Sequence, residues 1–209
     1  ATLSTSNMPG LVKSGDLGTL NVQVGDKFGN PVQPGTALYF STTGGLVQAS
    51  STTDASGRAS VTLQGGNPVP NEPSLGGPGH GFVTVQTVGE NGVSILKSIP
   101  FLFSGAPTAT FPAYGAGTLP PIADGGFLDV DYYVRDANGN PISGGNNVSA
   151  SLSGTAASAL VLSLDSRVTT TDTKLAADQQ YKLRLTDPTQ GSGIGGSFTL
   201  TISVSGPSG

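Results

Sequence analysis

The chain has 209 residues, a net charge of −4 and only 11% charged residues, against about 25% in an average soluble protein. Its nine lysines and arginines are scattered, which excludes the clustered cationic surface that nucleic acid or anionic lipid requires. There is no cysteine and no run of 18 apolar residues, so disulfides, thiolate metal centres and a membrane-spanning helix are all excluded.

Gly (32) and Pro (15), with many Ser, Thr and Asn, fill the composition. Strand-like alternation recurs throughout, as disorder would not. Leu20, Val22 and Val24 alternate with polar residues in a half-buried strand. Gly29, Asn30 and Pro31 break it, and Leu38 and Phe40 share one face of the next strand. Leu46 to Ser50 reads as a short strand. Thr53-Asp54-Ala55-Ser56-Gly57 reads as a turn, with Asp bonding backbone two residues on and Gly supplying positive φ. Ala59, Val61 and Leu63 alternate again. Residues 65–81 read as a long Gly/Pro loop with no room for a helix. Phe82 to Val88, an Asn91-Gly92 turn, and Val93 to Phe103 follow; Pro100 marks the last of these as an edge or kinked strand.

Val24 to Val32 returns as Val134 to Ile142, with Asp26 and Asp136 standing 110 positions apart. A period of that length is one β-sandwich, not a solenoid repeat. The chain therefore reads as all-β, with two tandem antiparallel sandwiches over residues 1–105 and 106–209, joined by a short junction at residues 104–110. In the second, Phe127 to Arg135, Val148 to Leu152, Ala159 to Leu164, Arg167 to Thr171, Gln180 to Thr186 and Phe198 to Val204 read as strands. Lys174 to Gln180 is the only helix-like window and is too short to stand as a helix.

Val22 to Val32, ending in Gly29-Asn30-Pro31-Val32, is followed by Leu38-Tyr39-Phe40-Ser41-Thr42, by Thr53 to Leu63, and by Phe82 to Ser98. Together these resemble bacterial immunoglobulin-like (Ig-like) domains of the invasin/intimin type, over residues 10 to 104. The second half keeps Asp136 to Ile142, but Thr171-Asp172 lacks the following glycine. The resemblance implies Ig-like sandwiches exported to the bacterial cell surface. It also implies a non-enzymatic structural or adhesive role, through contacts with neighbouring domains, identical subunits, or a protein or glycan receptor. Fold alone does not fix the ligand.

The residues with candidate chemistry point to no catalytic, cofactor or metal site. His80, the only histidine, is either a catalytic base or an exposed loop residue. Asp136-Ala137-Asn138-Gly139-Asn140 imitates the start of a calcium loop or is simply a turn. Asp124, Asp129 and Asp131 hold calcium or form a solvated acidic face. Glu72 and Glu90, the only glutamates, lie in loops and not in an apolar cleft. Tyr114, Tyr132 and Tyr133 form a sugar-stacking platform or pack within strands. Asn147-Val148-Ser149 has the glycosylation sequon form. Two alternatives remain beside the adhesive module: a filament subunit joined by β-strand addition, and a carbohydrate-binding module of an exported enzyme. Termini packed on their own domain would favour the simple module over the filament.

Overall fold

The computed structural model describes residues 2–5, 11–12, 17–115, 117–165, 168–173, 176–191 and 195–207. The chain divides into two compact units, Ala1–Ser104 and Gly105–Gly209. Each is an Ig-like antiparallel sandwich.

Unit 1 contains β1 (Thr2–Thr5), β2 (Leu11–Val12), β3 (Leu17–Gly25), β4 (Ala37–Thr42), β5 (Leu46–Val47), β6 (Ser50–Thr52), β7 (Arg58–Gln64), β8 (Asn71–Glu72), β9 (Gly77–Pro78), β10 (His80–Val88) and β11 (Ser94–Ser104). One sheet has the order β1-β3-β7-β5 and the other β2-β11-β10-β4-β6. The first is the immunoglobulin A-B-E-D order, and β4, β10 and β11 stand as C, F and G. The opening segment divides between the sheets. β1 lies antiparallel on β3, and β2 runs parallel to β11 at Phe103 and Ser104.

Alternation builds the core. Leu20, Val22 and Val24 of β3 meet Leu38 and Phe40 of β4, Val61 and Leu63 of β7, and Val83 and Val85 of β10. Phe101 and Phe103 of β11 close it, with ring centroids 4.7 Å apart. Pro100 stands opposite Phe82, on a stretch of β11 whose other edge β2 does not reach. That is where a residue without an N–H is tolerated.

Two sequence expectations change here. Leu46 to Ser50 is not one strand: β5 pairs with β7 and β6 pairs with β4. The chain crosses between sheets at this edge, because the Gln48 N–H donates to Thr62 and the Ala49 carbonyl accepts from Phe40. Residues 65–81 are not a bare loop either. β8 and β9 form a small hairpin around a 3₁₀ turn at Pro73–Leu75, and His80 already belongs to β10. The Gly79 N–H closes this excursion on the Pro70 carbonyl at 2.8 Å.

Unit 2 contains β12 (Thr108–Thr110), β13 (Phe127–Arg135), β14 (Asn147–Ser153), β15 (Val161–Leu164), β16 (Gln180–Thr186) and β17 (Thr199–Ser205). Its first sheet, β12-β13-β16-β15, repeats the A-B-E-D order. Its second pairs β14 with β17, and residue 169 bridges to Asn147 on the far side of β14. The expected strand from Ala159 begins only at Val161, after a 3₁₀ turn at Ala157–Ala159. In the expected strand Arg167 to Thr171, residue 167 lies outside the described residues, and the rest forms that single bridge. Residues 174 and 175 of the helix-like window also lie outside them, and Ala176–Gln179 is one 3₁₀ turn.

By pairing, β14 corresponds to β4 and β17 to β10. Among the described residues, no strand takes the place that β11 holds beside β10. The consequence shows in burial. Val83 and Val85 of β10 are fully covered, whereas Leu200, Ile202 and Val204 of β17 are only partly buried against their core. Phe101→Ala should therefore cost about 3–5 kcal/mol in chemical denaturation, as for a sealed aromatic core site. Ile202→Ala should cost under about 2 kcal/mol, because its site is already part-open.

Candidate functional site

The duplicated segment is one hydrogen-bonded turn made twice. Asp26 Oδ1 accepts from the Phe28 and Asn30 N–H groups at 2.8 and 2.9 Å. Asp136 Oδ1 accepts from Asn138 and Asn140 at the same distances. Each Asp N–H donates to the carbonyl four residues on, and each turn carries a glycine at positive φ, Gly29 at 88° and Gly139 at 81°. Asp54 builds the same device with Ser56 and Arg58. Asp136 is buried, and its second oxygen accepts from the Gly105 N–H at 2.9 Å. The oxygens that a calcium loop would turn to a cation are committed to backbone here.

Hydrogen bonds hold two of these carboxyls below the ordinary aspartate range. For Asp26 the main cause is the Asn30 side-chain amide, and for Asp54 the Ser56 hydroxyl. A depressed carboxyl contributes stability at neutral pH and loses it as pH falls through the depressed value.

A second duplicated device escaped sequence reading. Thr53 Oγ1 accepts from the Thr36 N–H and donates to the Gln33 carbonyl. Thr170 Oγ1 does the same between Asn146 and Ser143. Sequence alignment pointed to Thr171-Asp172 because of its Thr-Asp pair, but the clamp is at Thr170. Beside it, the buried Gln179 amide bonds both backbone groups of Ile142 at 2.7 Å, acting as a one-residue strand.

The remaining candidates are dispersed. His80 packs its ring over Gly76, where an added Cβ would stand 3.0 Å from Nε2. The Glu72 carboxylate accepts from the Ser74 N–H and hydroxyl; the Glu90 side chain lies outside what is described. Asp124 accepts from the Gly191 N–H at 2.7 Å. Asp129 and Asp131 share one face of β13, directly opposite Arg184 and Lys182 of β16. Arg184 grips Asp129 through two bonds of 2.6 and 2.8 Å, and Lys182 lies 3.7 Å from Asp131. The Arg184 hydrogen bond depresses the Asp129 carboxyl. This is a cross-strand charge ladder. Asn147 Oδ1 accepts from the Thr169 hydroxyl.

The three tyrosines do not form a platform. Tyr132 is 2% exposed and stacks on Tyr181 with centroids 5.5 Å apart. Tyr133 points to the other face of the strand, where Arg135 lies over its ring at 3.9 Å. Tyr114 packs against the core beside Phe111. Burial pushes the Tyr132 hydroxyl up to about 12.

Two surface features are left uncommitted by these networks. At the loop end of unit 1, Phe28 is 78% exposed with Lys27 over its ring. It borders a groove of about 500 Å³ shared with Val32 and Val88. In unit 2, a groove of about 520 Å³ runs between the segment Phe111 to Pro121 and the start of β17. Phe111, Tyr114, Leu119, Phe198 and Leu200 line it, and no charged side chain does.

No protein-family model matches the chain, and no curated relative does. Solved bacterial adhesin structures are similar to it over almost its whole length. The Yersinia pseudotuberculosis adhesin InvE is 18% identical over 97% of this chain and 55% of its own, with a TM-score of 0.36. The Escherichia coli adhesin FdeC is 18% identical over 97% and 57%, with a TM-score of 0.46. A C-terminal intimin fragment, solved with the intimin-binding domain of the translocated intimin receptor, is 16% identical over 96% and 62%, at 0.43. The chain thus spans somewhat over half the length of each. The assignment of the fold rests on the sheet order above, not on these scores. No helix among the described residues is long and apolar enough to cross a membrane.

Asp136→Ala strands buried N–H groups and should cost about 1–3 kcal/mol in urea unfolding; the same change at the more open Asp26 should cost less. Tyr132 should ionise only near pH 12, as a late step in ultraviolet titration. Because its folded value is raised, it favours the native state below the unfolded tyrosine value near 10, and that contribution is lost as pH climbs toward 12.

Proposed function

We propose that this chain is a non-enzymatic structural and adhesive module of a bacterial surface protein or fibre, displayed outside the cell. The observation that carries this reading is the exposed apolar end of unit 1. Phe28, Val88 and Val93 are all more than half exposed there, Phe28 and Val93 in hydrogen-bonded turns and Val88 at the end of β10. A large side chain left in water on a rigid turn suits a protein contact better than a packing role. The resemblance of residues 10 to 104 to invasin/intimin-type domains supports the same direction, as does the chain's low charge.

The filament reading is less favoured for the amino-terminal strand. β1 lies on β3 of its own unit through four paired residues, which is the arrangement of a self-contained module.

The test is adhesion. Beads coated with the purified chain are counted on cultured epithelial cells, alongside Phe28→Asp and the distant surface variant Lys97→Gln. Wild-type and Lys97→Gln beads should adhere well above uncoated beads, and Phe28→Asp should lower adhesion about tenfold or more, the worth of one aromatic anchor. No adhesion by wild type, or full adhesion by Phe28→Asp, would overturn the proposal.

A further inference from the structure

We propose that one outer sheet face of unit 1 carries a binding groove for a neutral saccharide, walled by β3, β7 and residues 51–54. The groove measures about 600 Å³, within the span of small-ligand sites. Asn21, Gln23, Ser51, Asp54, Arg58 and Ser60 line it, and no aromatic side chain does. Asn21 and Gln23 stand opposite Ser60 and Arg58 in the β3–β7 pairing, and they alternate with the core residues Leu20, Val22 and Val24. A closed ring of hydrogen bonds fixes the charged groups. The Gln23 amide donates to the Ser56 carbonyl at 2.9 Å, and Arg58 Nε donates to Gln23 Oε1 at 2.9 Å. Asp54 Oδ1 accepts from the Ser56 hydroxyl and from the Ser56 and Arg58 N–H groups. The Ser56 hydroxyl, first among these bonds, holds the Asp54 carboxyl below the ordinary range, so it is ionised at neutral pH. Gln23 therefore grips the guanidinium by one nitrogen. Among the described residues, its two terminal nitrogens and Asp54 Oδ2 take no partner.

These open groups define the occupant. The site sets a fixed cation, a fixed anion, amides and hydroxyls side by side. A sugar hydroxyl both donates and accepts, so a ring of hydroxyls meets every kind of group present. The planar edge of a guanidinium or carboxylate takes two neighbouring hydroxyls at once. An acidic ligand would meet Asp54 as well as Arg58, on a chain of net charge −4. An apolar peptide would cover these groups without partnering them. Unit 2 supplies the contrast. On its equivalent face Lys182 lies 3.7 Å from Asp131, and the Tyr133 hydroxyl donates to Gln180 at 3.1 Å, so the polar groups are spent on one another. The groove goes beyond the adhesive proposal and does not rest on it, since none of Phe28, Val88 and Val93 lines it.

The fluorescently labelled chain is applied to an array of immobilised neutral, sialylated and sulfated oligosaccharides. The neutral glycan that binds best is then titrated, as free oligosaccharide, into the intact chain, with amide chemical shifts to locate it. We expect saturable binding, with shifts confined to Asn21, Gln23, Ser60 and the turn from Ser51 to Arg58. Arg58→Gln should weaken binding about tenfold or more, the worth of one charge-assisted hydrogen bond. Lys97→Gln, away from the groove, should leave it unchanged. Should Arg58→Gln fail to fold, Ser60→Tyr fills the groove from an exposed strand position and should abolish binding. Failure to bind any neutral glycan, retention of sialylated or sulfated glycans alone, shifts outside the groove, or undiminished binding by the folded variant would overturn the proposal. Phe28→Asp should bind the glycan as wild type does, so that this proposal and the adhesive one fail separately.

Discussion

Each unit depends on one constraint: two sheets must cover each other's apolar faces while every interior backbone group finds a partner. With few charged residues and no disulfide to help, closure of the sandwich is the main source of stability. In unit 1 the inner residues of β3, β4, β7, β10 and β11 are buried together, and β2 adds a partner at the end of β11. In unit 2 the first sheet buries Val130, Tyr132, Val134, Tyr181, Leu183 and Leu185. Among the described residues its second sheet is two strands wide, and the apolar face of β17 is part-exposed.

The polar residues serve that closure more than they serve chemistry. Asp26, Asp54 and Asp136 each fold their carboxylate over the backbone of a tight turn, fixing where one strand stops and the next begins. Thr53 and Thr170 each clamp two backbone groups at equivalent places. Such side-chain bonds satisfy donors that would otherwise go unpaired where the chain leaves a sheet. The Asp129–Arg184 and Asp131–Lys182 pairs lie across an exposed sheet face and set register more than they add stability.

The sequence made the strands legible because alternation is local. Leu20, Val22 and Val24 declare an inner face without reference to any other segment. The Asp-x-x-Gly-Asn pattern was legible for the same reason: the turn is completed within five residues. What sequence did not reveal depends on distant partners. The division of Leu46 to Thr52 between two sheets is decided by pairings that skip the next strand in the chain: β5 pairs with β7 past β6, and β6 pairs with β4 past β5. The Thr170 clamp was hidden because residues are inserted ahead of it: Thr53 lies 27 positions after Asp26 but Thr170 lies 34 after Asp136, and the Thr-Asp pair pointed to Thr171. The inward turn of Tyr132 was written in its strand alternation with Val130 and Val134. The buried Tyr132 accords with the strand-packing reading and not with a sugar platform.

The central claim is that two sandwiches follow the same plan and that, among the described residues, β10 has a partner strand on each side whereas β17 pairs only with β14. Residue-resolved amide hydrogen exchange on the free chain tests it most directly. The account predicts slow exchange along β10, which is paired on both sides over Val83 to Gln86, and alternating fast and slow amides along β17, with the fast ones facing away from β14. Uniformly slow exchange from Thr199 to Ser205 would show that β17 is already covered and would contradict the account.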